Sequence, residues 1–124
     1  MRGNLANGGG GFGPLEAEVM DAVWAAEAPA SVREVMGQLN DARSESLAYT
    51  TVMTVMSRLA EKGALLRSPA GRSYVYEATA ADPAGIAVKN VIRTYGDEAV
   101  AHFVDQARGD PELRRRMEQM LREQ

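Results

Sequence analysis

A mainly α fold with one small β-hairpin is what the sequence predicts, and three observations point to it. Apolar residues recur at helical spacing in six stretches. Residues that start or stop helices punctuate those stretches. Two β-prone runs, ALLRS at 64–68 and SYVYE at 73–77, flank the turn-forming PAGR at 69–72. The order is three helices, a hairpin, then three more helices.

Each element follows from its own residues. Residues 1–12 (MRGNLANGGGGF) are glycine-rich and expected to be disordered, and they lack the apolar run of a signal peptide. Pro14 stands where a first helical turn tolerates proline, and Leu15, Val19, Ala22 and Val23 form an apolar stripe that Trp24 closes. Pro29 breaks that helix. Ser31 and Glu34 make a capping box, with Val32, Val35, Met36 and Leu39 as the apolar face of a second short helix. A polar loop over 40–45 leads to a third helix, about 48–62, that stops at Gly63. The hairpin spans about 65–77. Asp82-Pro83 then pairs an N-cap with a first-turn proline, and Ala84, Ala87, Val88, Val91, Ile92 and Tyr95 keep three/four spacing. Gly96-Asp97 reads as a stop followed by a new cap, ahead of Ala99, Val100, Phe103, Val104 and Ala107. Gly109-Asp110-Pro111 repeats the punctuation before a weaker stripe of Leu113, Met117, Met120 and Leu121. Three segments are expected: 1–12, a helix-and-hairpin domain over 13–80, and a helical domain over 81–124.

The third helix contains YTTVMTVMSRL at 49–59, crowded with β-branched residues that favour strands. Its pattern nevertheless fits period 3.6 and fails period 2. At about 100° per residue, Val52, Val55, Met56 and Leu59 share a compact face, while Thr50, Thr54, Ser57 and Glu61 cluster opposite. Thr51 and Arg58 lie on one flank, Met53 and Ala60 on the other. Threonine costs up to about 0.7 kcal/mol of helix propensity relative to Ala, so three of them are poor choices for stability alone. Their hydroxyls and methyls suit phosphates and base edges. The alternative is that Thr50 and Thr51 serve as caps.

Composition narrows the chemistry. With no cysteine and a single histidine, His102, the chain offers no disulfide, thiolate site or histidine metal cluster. No phosphate-cradling loop or separate carboxylate pair stands out, so no enzyme, cofactor, metal or small-molecule ligand is expected. No apolar run approaches the ~20 residues that span a bilayer, and a cytoplasmic location is the expectation. The net charge of −3 has the wrong sign for a nucleic-acid binder, yet residues 30–77 are close to neutral and the flanks carry the acid excess.

Three helices with a polar-faced third, then a hairpin with Arg67 at its base and Arg72 at its tip, is the order of a winged helix-turn-helix. In that architecture the third helix enters the major groove and the wing touches the backbone. About forty residues of short helices rarely sustain a core alone, so the carboxy-terminal segment is expected to pair with a second copy. The alternative is that those helices fold back on their own chain. Arg114, Arg115 and Arg116 are read as a solvated face balancing Glu112, Glu118 and Glu123.

Four stretches, LEAEVMDAVW, PASVREVMGQL, AYTTVMTVMSRLAEKGAL and GRSYVYEA, carry a resemblance to the BlaI/MecI family of penicillinase and methicillin-resistance repressors. It covers residues 13–124 and is strongest over 15–78. The resemblance implies a homodimeric repressor of a dyad-symmetric DNA operator. By motif position, Thr50, Thr51, Met53 and Thr54 would face the groove, Tyr49 and Arg58 would support or touch the backbone, and Arg72 would lie on the wing. Val88, Val91, Ile92, Tyr95, Val100, Phe103, Val104, Leu113, Met117, Met120 and Leu121 would join the two chains. The β-lactam branch is released through a membrane sensor and protease pathway that cleaves an Asn-Phe bond. The corresponding pair here is His102-Phe103, with His in place of Asn. The copper-responsive branch carries cysteines, which this chain lacks. A second function class stays open: a winged-helix module for protein–protein association, which the acidic net charge favours.

Overall fold

The computed structural model describes residues 12–123, so all but the last residue of the segment expected to be disordered lies outside the described residues. The element order is α1 (Pro14–Ala25), β1 (Ala30–Ser31), α2 (Val32–Asn40), α3 (Tyr49–Glu61), β2 (Leu65–Ala70), β3 (Ser73–Ala78), α4 (Pro83–Tyr95), α5 (Asp97–Arg108) and α6 (Pro111–Arg122). It is a winged helix followed by further helices. By packing, the chain divides into two compact units, one reaching Val88 and the other starting at Lys89, with the boundary inside α4.

In the first unit α1, α2 and α3 pack on one another and on the sheet. Met20, Met56, Leu59, Val19, Val35 and Val52 are its largest fully buried side chains. The buried face of α1 is broader than its four-residue stripe, because Ala17, Met20 and Trp24 join Val19, Ala22 and Val23 while Leu15 is only half-buried. The Trp24 indole donates to the Ala80 carbonyl at 2.8 Å, so the one polar atom of that ring is satisfied where α1 meets the chain leaving β3. The Ser31/Glu34 capping box forms as expected: the Ser31 hydroxyl accepts from the Glu34 amide at 3.1 Å, and the Ser31 amide donates to Glu34 Oε1 at 2.8 Å. Gly63 ends α3 with φ 80°, a left-handed conformation that costs glycine little.

The sheet departs from expectation in two places. The turn is not the four residues 69–72 but Gly71 and Arg72 alone, with Gly71 at φ 63° and Ala70 paired with Ser73. Pro69 therefore lies inside β2. The strand tolerates it because β2 is the edge of the order β1-β3-β2, where a missing N–H disrupts no second ladder. The second difference is β1, two residues that pair Ala30 with Tyr76 and Ser31 with Val75. Two residues carry no periodicity, and the strand forms because the extended backbone at the Ser31 cap lies alongside β3.

The second unit has little core of its own. α5 packs on α6, yet Ala99 is its one buried residue among those described. Tyr95, Met120 and Leu121 are 61%, 71% and 78% exposed, so nothing in the unit covers its apolar side. Asp110 caps α6 through the amides of Glu112 and Leu113, both at 3.1 Å. Gly96, not Asp97, is the N-cap of α5, and Asp97 becomes the first helical residue, where its charge suits the helix dipole. Arg115 pairs with Glu112 at 2.6 Å and Arg114 with Glu118 at 3.8 Å, both exposed along α6. Among the described residues no helix is long and apolar enough to cross a membrane.

Leu59 is fully buried at the end of the α3 core face. Leu59→Ala is expected to destabilise the first unit by about 2–5 kcal/mol, read from the urea midpoint at unchanged slope. A loss within the few tenths expected at a surface site would show that α3 is not pinned by this face.

Candidate nucleic-acid interface

The site is built on α3, whose two sides have opposite chemistry. Val52, Val55, Met56 and Leu59 point into the core, as the sequence pattern requires. Thr50, Thr51, Met53, Thr54 and Arg58 are exposed on the other side. The N-cap of α3 is Ala48, which has no side chain to cap with, and the hydroxyls of Thr50, Thr51 and Thr54 make no hydrogen bond among the described residues. The capping alternative for Thr50 and Thr51 is thereby removed. Three hydroxyls and three methyls face outward, uncommitted.

Two clefts flank this face. One, between the start of α1 and α3, collects Thr50, Thr51, Thr54 and Arg58 with Glu16, Glu61 and Lys62. The other, between the start of α2, α3 and the wing, collects Tyr49, Met53, Arg67 and Arg72 with Arg33, Ser57 and Tyr74. All eight residues expected at a nucleic-acid face therefore line one side or other of a single exposed helix.

The wing register decides where Arg67 goes. Arg67 pairs with Tyr76 and Pro69 with Tyr74, so Tyr74 is the diagonal neighbour of Arg67 on the same face of the hairpin. The Arg67 guanidinium lies 4.4 Å from the centre of the Tyr74 ring. A similar contact joins α2 to α3, where the Arg33 guanidinium stands 5.7 Å from the Tyr49 ring.

The cations of the first unit sort into two sets. Arg43 is paired with Glu18 at 2.9 Å and Lys62 with Glu16 at 2.8 Å. Arg33, Arg58, Arg67 and Arg72 make no ion pair among the described residues. The free set surrounds the threonine face. Partial burial pushes the Glu16 carboxyl up, but hydrogen bonds from Lys62 and the Gly13 amide, with the Lys62 and Arg58 charges, outweigh it. The carboxyl is held below its ordinary value.

Sequence reasoning placed Ser57 on the outward face without a role and did not single out Arg33, Ser73 or Tyr74, which line the second cleft with it. Arg33 had a signal: it lies in the first turn of α2, where the helix dipole disfavours a cation. Tyr74 had none, because its meeting with Arg67 depends on the two-residue turn. In the second unit Val91, Tyr95, His102 and Phe103 line one hollow with Glu98 and Ala99. Of the other residues expected to join two chains, Val88, Ile92, Val100, Val104, Met117, Met120 and Leu121 are exposed and Leu113 is half-buried.

A three-helix core, a wing and an outward-facing polar third helix define a winged helix-turn-helix protein. The model of the penicillinase repressor family matches residues 12–123, and the chain belongs to that family. It is 45% identical over 65 residues to the transcriptional regulator BlaI of Mycobacterium tuberculosis, in strains CDC 1551 and H37Rv alike. That match takes in 52% of this chain and 46% of the regulator, so the chain spans about half the length of the curated relatives it matches.

A lowered folded-state pKa means that Glu16 contributes stability at pH above its unfolded value and loses it as pH falls through the folded value. Acid titration of the wild type is expected to show this loss below the ordinary 4.5 of a glutamate. Glu16→Gln is expected to remove that part of the pH dependence. Identical acid profiles for the two proteins would contradict the Glu16–Lys62 assignment.

Proposed function

We propose that this chain is a transcriptional repressor that binds a dyad-symmetric DNA operator as a homodimer. α3 enters the major groove and the wing lies on the backbone. The observation that carries this reading is the outward face of α3, where three threonines that weaken the helix keep their hydroxyls uncommitted beside unpaired arginines. Family membership supports the repressor role. Thr50, Thr51, Met53 and Thr54 meet base edges, since short side chains let a helix lie deep in the groove. Tyr49, Arg58, Arg67 and Arg72 meet the sugar-phosphate backbone.

The partner of the second unit is a second copy of this chain. Residues 81–124 serve as the dimerisation domain, and residues 13–80 as the DNA-binding domain. The exposed apolar residues of the second unit, from Val91 to Leu121, support this, because two such faces bury on each other what neither buries alone. A two-fold protein also matches two half-sites spaced along a duplex.

Proteolysis at His102-Phe103, through a membrane sensor and protease pathway, is the release route that the family resemblance implies. The bond lies within α5, and its residues line the same hollow as Val91 and Tyr95. The family's cleaved pair begins with Asn where this chain has His102. A chain that stays intact after derepression would exclude it.

The promoter beside the protein's own gene, in a gel shift, tests the reading. Retardation that weakens steeply with salt is expected. The triple replacement of Thr50, Thr51 and Thr54 by Ala is expected to abolish preference for the promoter over random duplex. Its melting temperature should hold or rise, because alanine is the better helix former. A triple variant that keeps its preference would refute the assignment of α3. A dimer that retards no duplex at low salt would favour the protein-association reading. For the dimer, Val91→Glu with Phe103→Glu is expected to give monomers by sedimentation. A double variant that stays dimeric would place the interface elsewhere.

A further inference from the structure

We propose that Arg33, which lines the α2–wing cleft within cation–π reach of Tyr49, is a positioning residue that binds a phosphate of the DNA backbone. It thereby fixes which flank of α3 the strand crosses. The inference rests on the DNA-binding reading and deepens it, since it adds a residue from α2 and a direction to the docking.

Charge distinguishes the two flanks of α3. The cleft of about 420 Å³ on the α2–wing side is lined by three arginines, Arg33, Arg67 and Arg72, and by Ser31, Ser57 and Ser73. No carboxylate lines it, in a chain whose net charge is −3. The cleft on the α1 side holds Glu16 and Glu61 beside Arg58 and Lys62, and its lysine is already tied to Glu16 at 2.8 Å. A polyanionic strand is drawn to the first flank and finds the second close to neutral.

Arg33 itself has no structural occupation that accounts for its charge. It sits in the first turn of α2, against the helix dipole. The neighbouring Glu34 is turned away to accept the Ser31 amide at 2.8 Å, so it does not neutralise Arg33. What holds Arg33 is the Tyr49 ring at 5.7 Å. A cation–π contact leaves the guanidinium charge unneutralised, and Arg33 has no ion pair among the described residues, so it is available to a phosphate. The Arg67–Tyr74 pair repeats the device from the wing, at 4.4 Å. One contact from the helices and one from the wing give the same cleft two cations beside tyrosine rings. A phosphate engaged there leaves the threonines of α3 free for base edges. The contribution of Arg33 is therefore independent of base sequence.

The test uses the full chain and two duplexes of about 30 base pairs, long enough for two half-sites: the promoter beside its gene and a random sequence. Salt titrations compare the wild type with Arg33→Gln, Arg33→Lys and Arg116→Gln, the last removing an unpaired charge from α6. Arg33→Gln is expected to weaken both duplexes by the same factor, on the order of tenfold, and to lower the salt slope by about 1 per protomer. Its melting temperature should match the wild type. Arg33→Lys is expected to recover the slope and part of the affinity, and Arg116→Gln to change neither. An unchanged slope in Arg33→Gln, or an equal fall in Arg116→Gln, overturns the proposal while leaving the DNA-binding reading intact. A loss confined to the promoter would make Arg33 a base reader and overturn the phosphate assignment. A wild type that binds neither duplex at low salt overturns both.

Discussion

Burial of one side of α3 is the constraint on which the rest of the first unit depends. Val52, Val55, Met56 and Leu59 are taken up by the core, and this fixes the rotation of the helix about its axis. Once that rotation is set, a period of 3.6 residues leaves Thr50, Thr51 and Thr54 no direction but outward. Hydrophobic burial of several side chains, each worth roughly 1.5–3 kcal/mol, outweighs the few tenths that each threonine subtracts from helix propensity. The same burial orients a polar surface that contributes nothing to the fold. A buried apolar face and an exposed polar one thereby divide thirteen residues between them.

Electrostatics repeats that division at a larger scale. An acidic chain binds an anion only where its carboxylates are absent or already engaged. Glu16 and Glu18 are engaged by Lys62 and Arg43, and these pairs tie α1 to the rest of the domain. Glu34 caps α2. The arginines left without partners then dominate the field around α3, whatever the net charge of the whole chain. Tyrosine rings under two of them hold a cation in place without neutralising it, which an ion pair cannot do.

Much of this was legible in the sequence because it rests on local periodicity. The rotation of α3, the Ser31/Glu34 box, the Gly63 stop and the Asp110 cap each depend on residues within one or two helical turns. What was illegible depends on contacts between distant segments. The two-residue turn hid behind Pro69, which reads as a turn residue until the edge position of β2 is known. β1 is too short to have a pattern. The meetings of Arg33 with Tyr49 and of Arg67 with Tyr74 require the packing of α2 on α3 and the hairpin register, neither of which any local spacing encodes. Arg33 alone left a trace, as a cation at the wrong end of its helix.

The second unit follows from the same physics in reverse. Its helices are strongly patterned, yet their apolar side stays exposed, so the unit is a half-built core. The division of α3 into two faces is open to methyl NMR. On titrating the full chain with promoter duplex, the γ-methyls of Thr50, Thr51 and Thr54 should shift strongly. The methyls of Val52 and Val55, on the buried face, should move little. Shifts confined to the valines or to the second unit, with unmoved threonines on a bound complex, would contradict the account.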